Sequence, residues 1–399
     1  MGWAFLSHIW RQGALRLGRA VSAARPYGAP GLGLAIVAAL ALDVYRRAAP
    51  IGIDFHTYLA ASIIGLQRGW SQIYDQGAVA AVQRSLVPTE RAQPYLSTPP
   101  VAWMVAPFHA LPYTLAFDLW VALLLAALVL ALTWTTTYRG RARVLAVAAA
   151  LVPWWVSQAL TVGQVVPLIA AGLLVAWRLL REDHDVAAGL VLGVVLLKPN
   201  TALLVPVALL AAGRTRAFTA WLAATVLVVS ISVLTLGPHG TSTYVAELTH
   251  LPRGANYLTL HGTFGLDGIP AAVIRALIVA GALVTAYRYR AQQGLALAAG
   301  ALASLLVASY LHASDLCVLV SVGWIVWHER PEPLLRTVVA AGWLMSTALN
   351  VMIGLGPPLN RWLIFELLLA IAVAGMAWWP NGRKLPLTGR AEFSRHATA

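Results

Sequence analysis

Apolar runs close to bilayer-spanning length follow one another along the chain, each ending in a short polar or basic cluster. Such a run of about 20 residues crosses the ~30 Å hydrocarbon core as one helix. The pattern predicts ten full spans, at 31–45, 117–134, 144–160, 165–180, 218–236, 271–287, 295–311, 316–327, 334–353 and 362–379. Residues 186–212 break it: they are apolar except for Lys198-Pro199-Asn200-Thr201 in the middle, and Arg214 and Arg216 follow. A single span there would carry both arginines to the outer side, whereas two short helices joined at Lys198-Pro199 return the chain to the side it came from. A charge and a proline at membrane depth are tolerated inside protein or beside a polar cavity. A re-entrant helical hairpin is therefore expected, and the predicted fold is an all-α polytopic membrane protein of 10–12 membrane helices.

The segments between the runs complete the map. Residues 1–27 carry Arg11, Arg16, Arg19 and Arg25 among Trp3, Leu6, Ile9, Trp10 and Leu17 near helical spacing. They read as an amphipathic helix on the cytoplasmic membrane face. Residues 46–112 form a first outer loop, with helical stretches at 54–66, 74–86 and a proline-bounded interfacial stretch at 101–111. A second outer loop covers 237–270, and 380–399 is a basic cytoplasmic tail. Nothing polar is long enough to fold as a separate soluble domain, so 1–399 reads as one membrane-embedded domain.

Composition agrees with the pattern. Hydrophobic residues make up 59% of the 399-residue chain and charged residues 11%, with mean hydropathy +0.73. A soluble globule is about 25% charged. The net charge of +13 would suit nucleic acid in a soluble protein, but here most basic residues fall in the inner segments. That is the positive-inside bias, with anionic membrane lipid as the partner and no nucleic acid needed. It also fixes the expected orientation in the cytoplasmic membrane. Cys317, the single cysteine, excludes an internal disulfide.

On this map the unusual polar side chains gather on the outer side: Asp54, His56, Tyr58, Tyr95, Gln164, His239, His250, Asn256, His261, His312, Asp315 and Arg361. Lys198 reaches towards them from the hairpin tip. A transporter needs polar groups near the midplane, open alternately to both sides; one-sided clustering suits an enzyme at the outer leaflet. Asp54, in Gly52-Ile53-Asp54-Phe55-His56-Thr57-Tyr58, is one of few acids near membrane level and the candidate catalytic base. The same position also suits a helix N-cap.

Five motifs occur in order: Asp54-Phe55-x-x-Tyr58, Tyr95-x-x-x-Pro99-Pro100, Gly163-Gln164-x-x-Pro167, Lys198-Pro199 and His312-x-x-Asp315. Together they resemble glycosyltransferase family 87, which includes polyprenyl-phosphate-mannose-dependent α-1,2-mannosyltransferases. Ser97-Thr98 stand before the prolines where a tighter Tyr-Pro pair is common, and Val166 stands where Asn is frequent. The resemblance implies a GT-C fold and an inverting transfer of sugar, mannose above others, from a polyprenyl-phosphate donor. The acceptor would be a glycolipid or polysaccharide, at the periplasmic or exterior face.

The chemistry is consistent with one carboxylate. A lipid phosphate leaves readily as an anion, so only the acceptor hydroxyl's proton has to be taken, by Asp54. Lys198 is the candidate to hold the donor phosphate, its stem snorkelling outward, or else a structural counter-ion to Asp315 or Asp118. His312 and Asp315, one turn apart, would steer phosphate or sugar hydroxyls. A metal site is disfavoured for want of a third close ligand, and no cofactor is expected. His56, Tyr58, Tyr95, Gln164, Asn256, His261 and Arg361 complete the candidate substrate-binding set, with Gln164 equally able to close its turn. The rival classes are a lipid or polyol transporter with Asp54 and Lys198 as a gating pair, and a cell-envelope scaffold.

Overall fold

A computed structural model describes residues 52–89, 91–249, 258–329, 333–351 and 371. The expected spans at 31–45 and, apart from residue 371, at 362–379, the amphipathic helix, the tail, His250, Asn256 and Arg361 lie outside the described residues. Among these the regular structure is helical, with no strand. The helices are α1 (Ile53–Arg68), α2 (Gln76–Leu86), α3 (Pro99–Val105), α4 (Tyr113–Thr135), α5 (Gly140–Leu151), α6 (Trp154–Val162), α7 (Val166–Arg181), α8 (Asp185–Val191), α9 (Leu204–Ala211), α10 (Thr215–Thr249), α11 (Leu260–Phe264), α12 (Gly268–Arg288), α13 (Gln293–Val307), α14 (Val318–Glu329) and α15 (Pro333–Val351).

Three of the described helices, α4, α10 and α12, are long and apolar enough to cross a membrane, and much of their surface faces outward. The expected span at 144–160 is instead a bent pair, α5 and α6, meeting at 66°. The reason is Pro153, which cannot donate to the ladder of a continuous helix. By contrast α7, of 16 residues, and α13, of 15, are buried over most of their length and form the centre of the bundle. Helix α7 packs against α4, α8 and α14, while α13 packs against α9, α12 and α14. These apolar helices are core rather than lipid-facing, which composition does not distinguish.

The hairpin region resolves into α8, a 3₁₀ segment Leu192–Leu197, Lys198, a 3₁₀ turn Pro199–Thr201, and α9. Its two ends meet, because Arg214 Nη1 lies 3.2 Å from Asp185 Oδ1 and 3.5 Å from Asp183 Oδ1. The expected second outer loop at 237–270 proves partly helical. Helix α10 continues to Thr249 across a break at Gly237, whose φ of 65° and ψ of −177° suit glycine. Pro238 then opens the upper segment, where proline at a first helical position costs no hydrogen bond.

Ahead of the spans, α1 is buried on nearly every side. Phe55 sits with Phe108, Tyr113, Phe117 and Trp120, ring centroids 5.7–6.3 Å apart. The strap 91–98 crosses α2, clasped by two glutamine side chains. Gln83 donates to Gln93 O at 2.6 Å and accepts from Gln93 N at 2.8 Å. Gln76 likewise donates to Tyr95 O at 3.2 Å and accepts from Tyr95 N at 3.1 Å. Thr98 Oγ1 then donates to Leu196 O at 2.9 Å, tying the strap to the last turn before Lys198.

Candidate active site

The strap, the start of α1, the end of α6, the hairpin tip and the turn before α14 enclose a cavity of about 700 Å³. Asp54, Tyr58, Gln164, Lys198 and His312 all line it, although up to 258 residues separate them in sequence. All five motifs thus reach one place, the Tyr95-to-Pro100 run through Leu96, Ser97 and Thr98.

Asp54 occupies the first turn of α1, whose N-cap is Gly52, and its side chain makes no cap. The cap reading therefore gives way to a different contact: Gln164 Nε2 donates to Asp54 Oδ2 at 2.8 Å. Gln164 owes its position to Gly163. The α6 C-terminus closes with Gly163 N donating to Leu160 O and Gln164 N to Ala159 O, the paired bonds of a Schellman motif. Gly163 has φ 70°, a Cβ added to it would lie 2.7 Å from Phe55 Cβ, and Trp120 Nε1 donates to its carbonyl at 2.8 Å. Gly163→Ala is expected to lower stability by about 1–2 kcal/mol from the left-handed backbone alone, with the Phe55 clash in addition. Thermal unfolding in detergent checks it; an unchanged transition would refute the close approach.

Burial pushes the Asp54 carboxyl above its usual pKa, and Asp315 adds to the push. Lys198, His312 and the Gln164 amide pull it back. Lys198 itself is held by Asp315, Nζ to Oδ1 at 2.6 Å, with the carboxylate fully buried and the lysine side chain 14% exposed. Asp315 Oδ2 accepts from His312 N at 2.9 Å, fixing the turn Ala313–Cys317. The gating pair required by a transporter reading is thus not formed: Lys198 meets Asp315, and Asp54 meets Gln164. His312 is exposed to the cavity and hydrogen-bonded through Nε2 to the Tyr310 hydroxyl. Among the described residues no three His, Cys, Asp or Glu side chains converge in a metal-binding group.

Three candidates lie elsewhere. The His56 ring is fully buried, with Nε2 2.8 Å from Gln83 O and an edge contact to Tyr113. It braces α1 against α2, since a buried imidazole needs a polar partner. Tyr95, within the strap, has its ring buried away from the cavity, stacked on Tyr74 with its hydroxyl donating to Thr98 O at 2.9 Å. His261 pairs with Asp267 at 2.8 Å, away from the cavity lining.

Sequence reading passed over Gln158, Asn200, Tyr244 and Tyr310, which also line the cavity. Asn200 Nδ2 donates to Tyr310 O at 2.8 Å, joining the hairpin tip to the histidine turn. A glutamine inside the apolar run 144–160 was the available signal for Gln158, since polar groups at such depth have a purpose.

The site thus offers a carboxylate, a cation and an imidazole on the walls of one pocket, and Asp54 is the carboxylate among the described residues that line it. No curated protein and no solved structure matches the chain. The sequence model of glycosyltransferase family 87 matches residues 95–349, starting after Asp54. With well over half of its length matched, the chain belongs to glycosyltransferase family 87.

Proposed function

We propose that this family member is an inverting transferase that moves a sugar, mannose by expectation, from a polyprenyl-phosphate donor to a glycolipid or polysaccharide acceptor. The reaction takes place at the outer face of the cytoplasmic membrane and needs no metal. The observation that carries the reading is the Asp54 carboxylate on the wall of a cavity that Lys198 and His312 also line.

The step balances with those groups. The acceptor O–H gives its proton to Asp54, and the freed electron pair on oxygen forms the bond to the anomeric carbon. On the opposite face the anomeric C–O bond breaks, and its pair leaves on the lipid phosphate. Lys198 and His312 hold that anion, so no general acid is required. Hydrolysis of an ordinary glycosidic bond, by contrast, calls for two working carboxylates. Asp315 is unsuited to be the second, because Lys198 and the His312 amide already hold it.

Purified protein incubated with a panel of polyprenyl-phosphate sugars and glycolipid or polysaccharide acceptors tests this. Mass spectrometry is expected to find a glycosylated acceptor, and NMR an anomeric configuration opposite to the donor's. Product from nucleotide sugars alone would reject the donor class, and a retained configuration would reject direct displacement.

A further inference from the structure

We infer that Gln164 is a positioning residue for Asp54 and not a sugar contact: held by Tyr58 and the Val165 amide, it fixes which carboxylate oxygen faces the acceptor. This rests on Asp54 being the base.

The orientation of the Gln164 amide is set by chemistry. One end lies 3.0 Å from Val165 N, which can only donate, so that end is the oxygen. The Tyr58 hydroxyl donates to the same Oε1 at 2.5 Å. The NH₂ end is thereby aimed at Asp54 Oδ2, 2.8 Å away. Gln164 is itself only 2% exposed, and its backbone is fixed by the α6 terminus. Among the described residues it is the hydrogen-bond donor that Asp54 has, so Oδ1 is the oxygen left to meet a substrate hydroxyl.

An amide suits this task better than a charged side chain. A lysine there would hold the carboxylate ionised and weaken it as a base, while a glutamate would compete for its proton. The groups facing Asp54 already include Lys198 from the hairpin, His312, Asp315 and Tyr310 from the turn before α14, and Tyr58 from its own helix. A neutral donor orients the base without adding to that balance.

The test is the pH dependence of kcat and KM for wild type, Gln164→Leu and Gln164→Glu, each also combined with Asp54→Asn. Loss of a hydrogen bond to a charged group predicts a roughly 10- to 100-fold fall in kcat for Gln164→Leu, with KM nearly unchanged. The amide N–H favours the ionised carboxylate, so without it the acid limb of kcat moves to higher pH. Gln164→Glu, nearly isosteric and expected to fold, moves the limb further, because two adjacent carboxyls share a proton. In the Asp54→Asn background neither change should reduce the residual rate. A rise in KM with kcat and the acid limb unmoved would overturn the inference and make Gln164 a sugar contact. Wild-type turnover in Asp54→Asn alone would instead overturn the base assignment, and this inference with it.

Discussion

Asp54→Asn is expected to reduce turnover by about 10²–10⁴-fold, the range that positioned proton transfer contributes, while donor binding survives. Asn matches Asp in shape, and its carbonyl oxygen can still accept from Gln164 Nε2, so the pocket keeps its form. The same carboxylate predicts a pH profile. Only the ionised form is a base, and burial raises its pKa. Activity in the wild type should therefore fall on acidification with a midpoint above the ordinary aspartate value of about 3.9. Stability runs the other way. A carboxyl whose pKa is higher folded than unfolded binds its proton more tightly in the folded state, so ionisation at neutral pH opposes folding. Asp54→Asn removes that opposition, and its unfolding temperature should equal or exceed wild type at pH 7. Retained turnover, or an inactive variant that melts early, would each defeat this account.

Asp315→Asn is expected to have the largest effect on stability. It leaves the Lys198 ammonium beside a neutral amide in a site where the carboxylate is fully buried. Breaking one side of such a pair costs about 3–5 kcal/mol, because the remaining charge stays buried uncompensated. The double variant Lys198→Met/Asp315→Leu should recover most of that loss, since an apolar pair of similar size carries no desolvation penalty. Turnover should not return with it if Lys198 holds the donor phosphate. Thermal unfolding and initial rates on all the variants separate the two roles. Recovery of both stability and rate in the double variant would reduce Lys198 to a counter-ion.

The helical plan was legible because apolar periodicity over long runs reports element type well: α4 and α12 lie close to their expected bounds, and α10 does so up to its break at Gly237. Which runs face lipid was less legible: α7 and α13 are as apolar as a span but sit inside the bundle. For the site, Asp54, Gln164, Lys198 and His312 stood out as polar residues at the ends or breaks of apolar runs. Helix α1 was harder to read, because it is buried on nearly every side. No polar face separated His56, turned towards Gln83, from Asp54, turned towards Gln164. Tyr95 stood among motif residues yet faces the wall's interior, since an extended strap alternates its side chains. Tyr310 was hidden by the apolar run that precedes it.

The break at Gly237 has a mechanical meaning. Above it, Tyr244 stacks on Tyr74 with centroids 4.4 Å apart and lines the cavity, so this segment is fastened to the wall of the candidate site. Below it, the lower part of α10 is apolar and faces outward. Spanning helices answer a thicker or thinner bilayer by tilting. The lower rod lies against α8 and the 3₁₀ segment that runs into Lys198, with Gly189 directly over Ala217, so a tilt below the glycine joint is passed to the hairpin side of the pocket, while the joint spares the Tyr244 side.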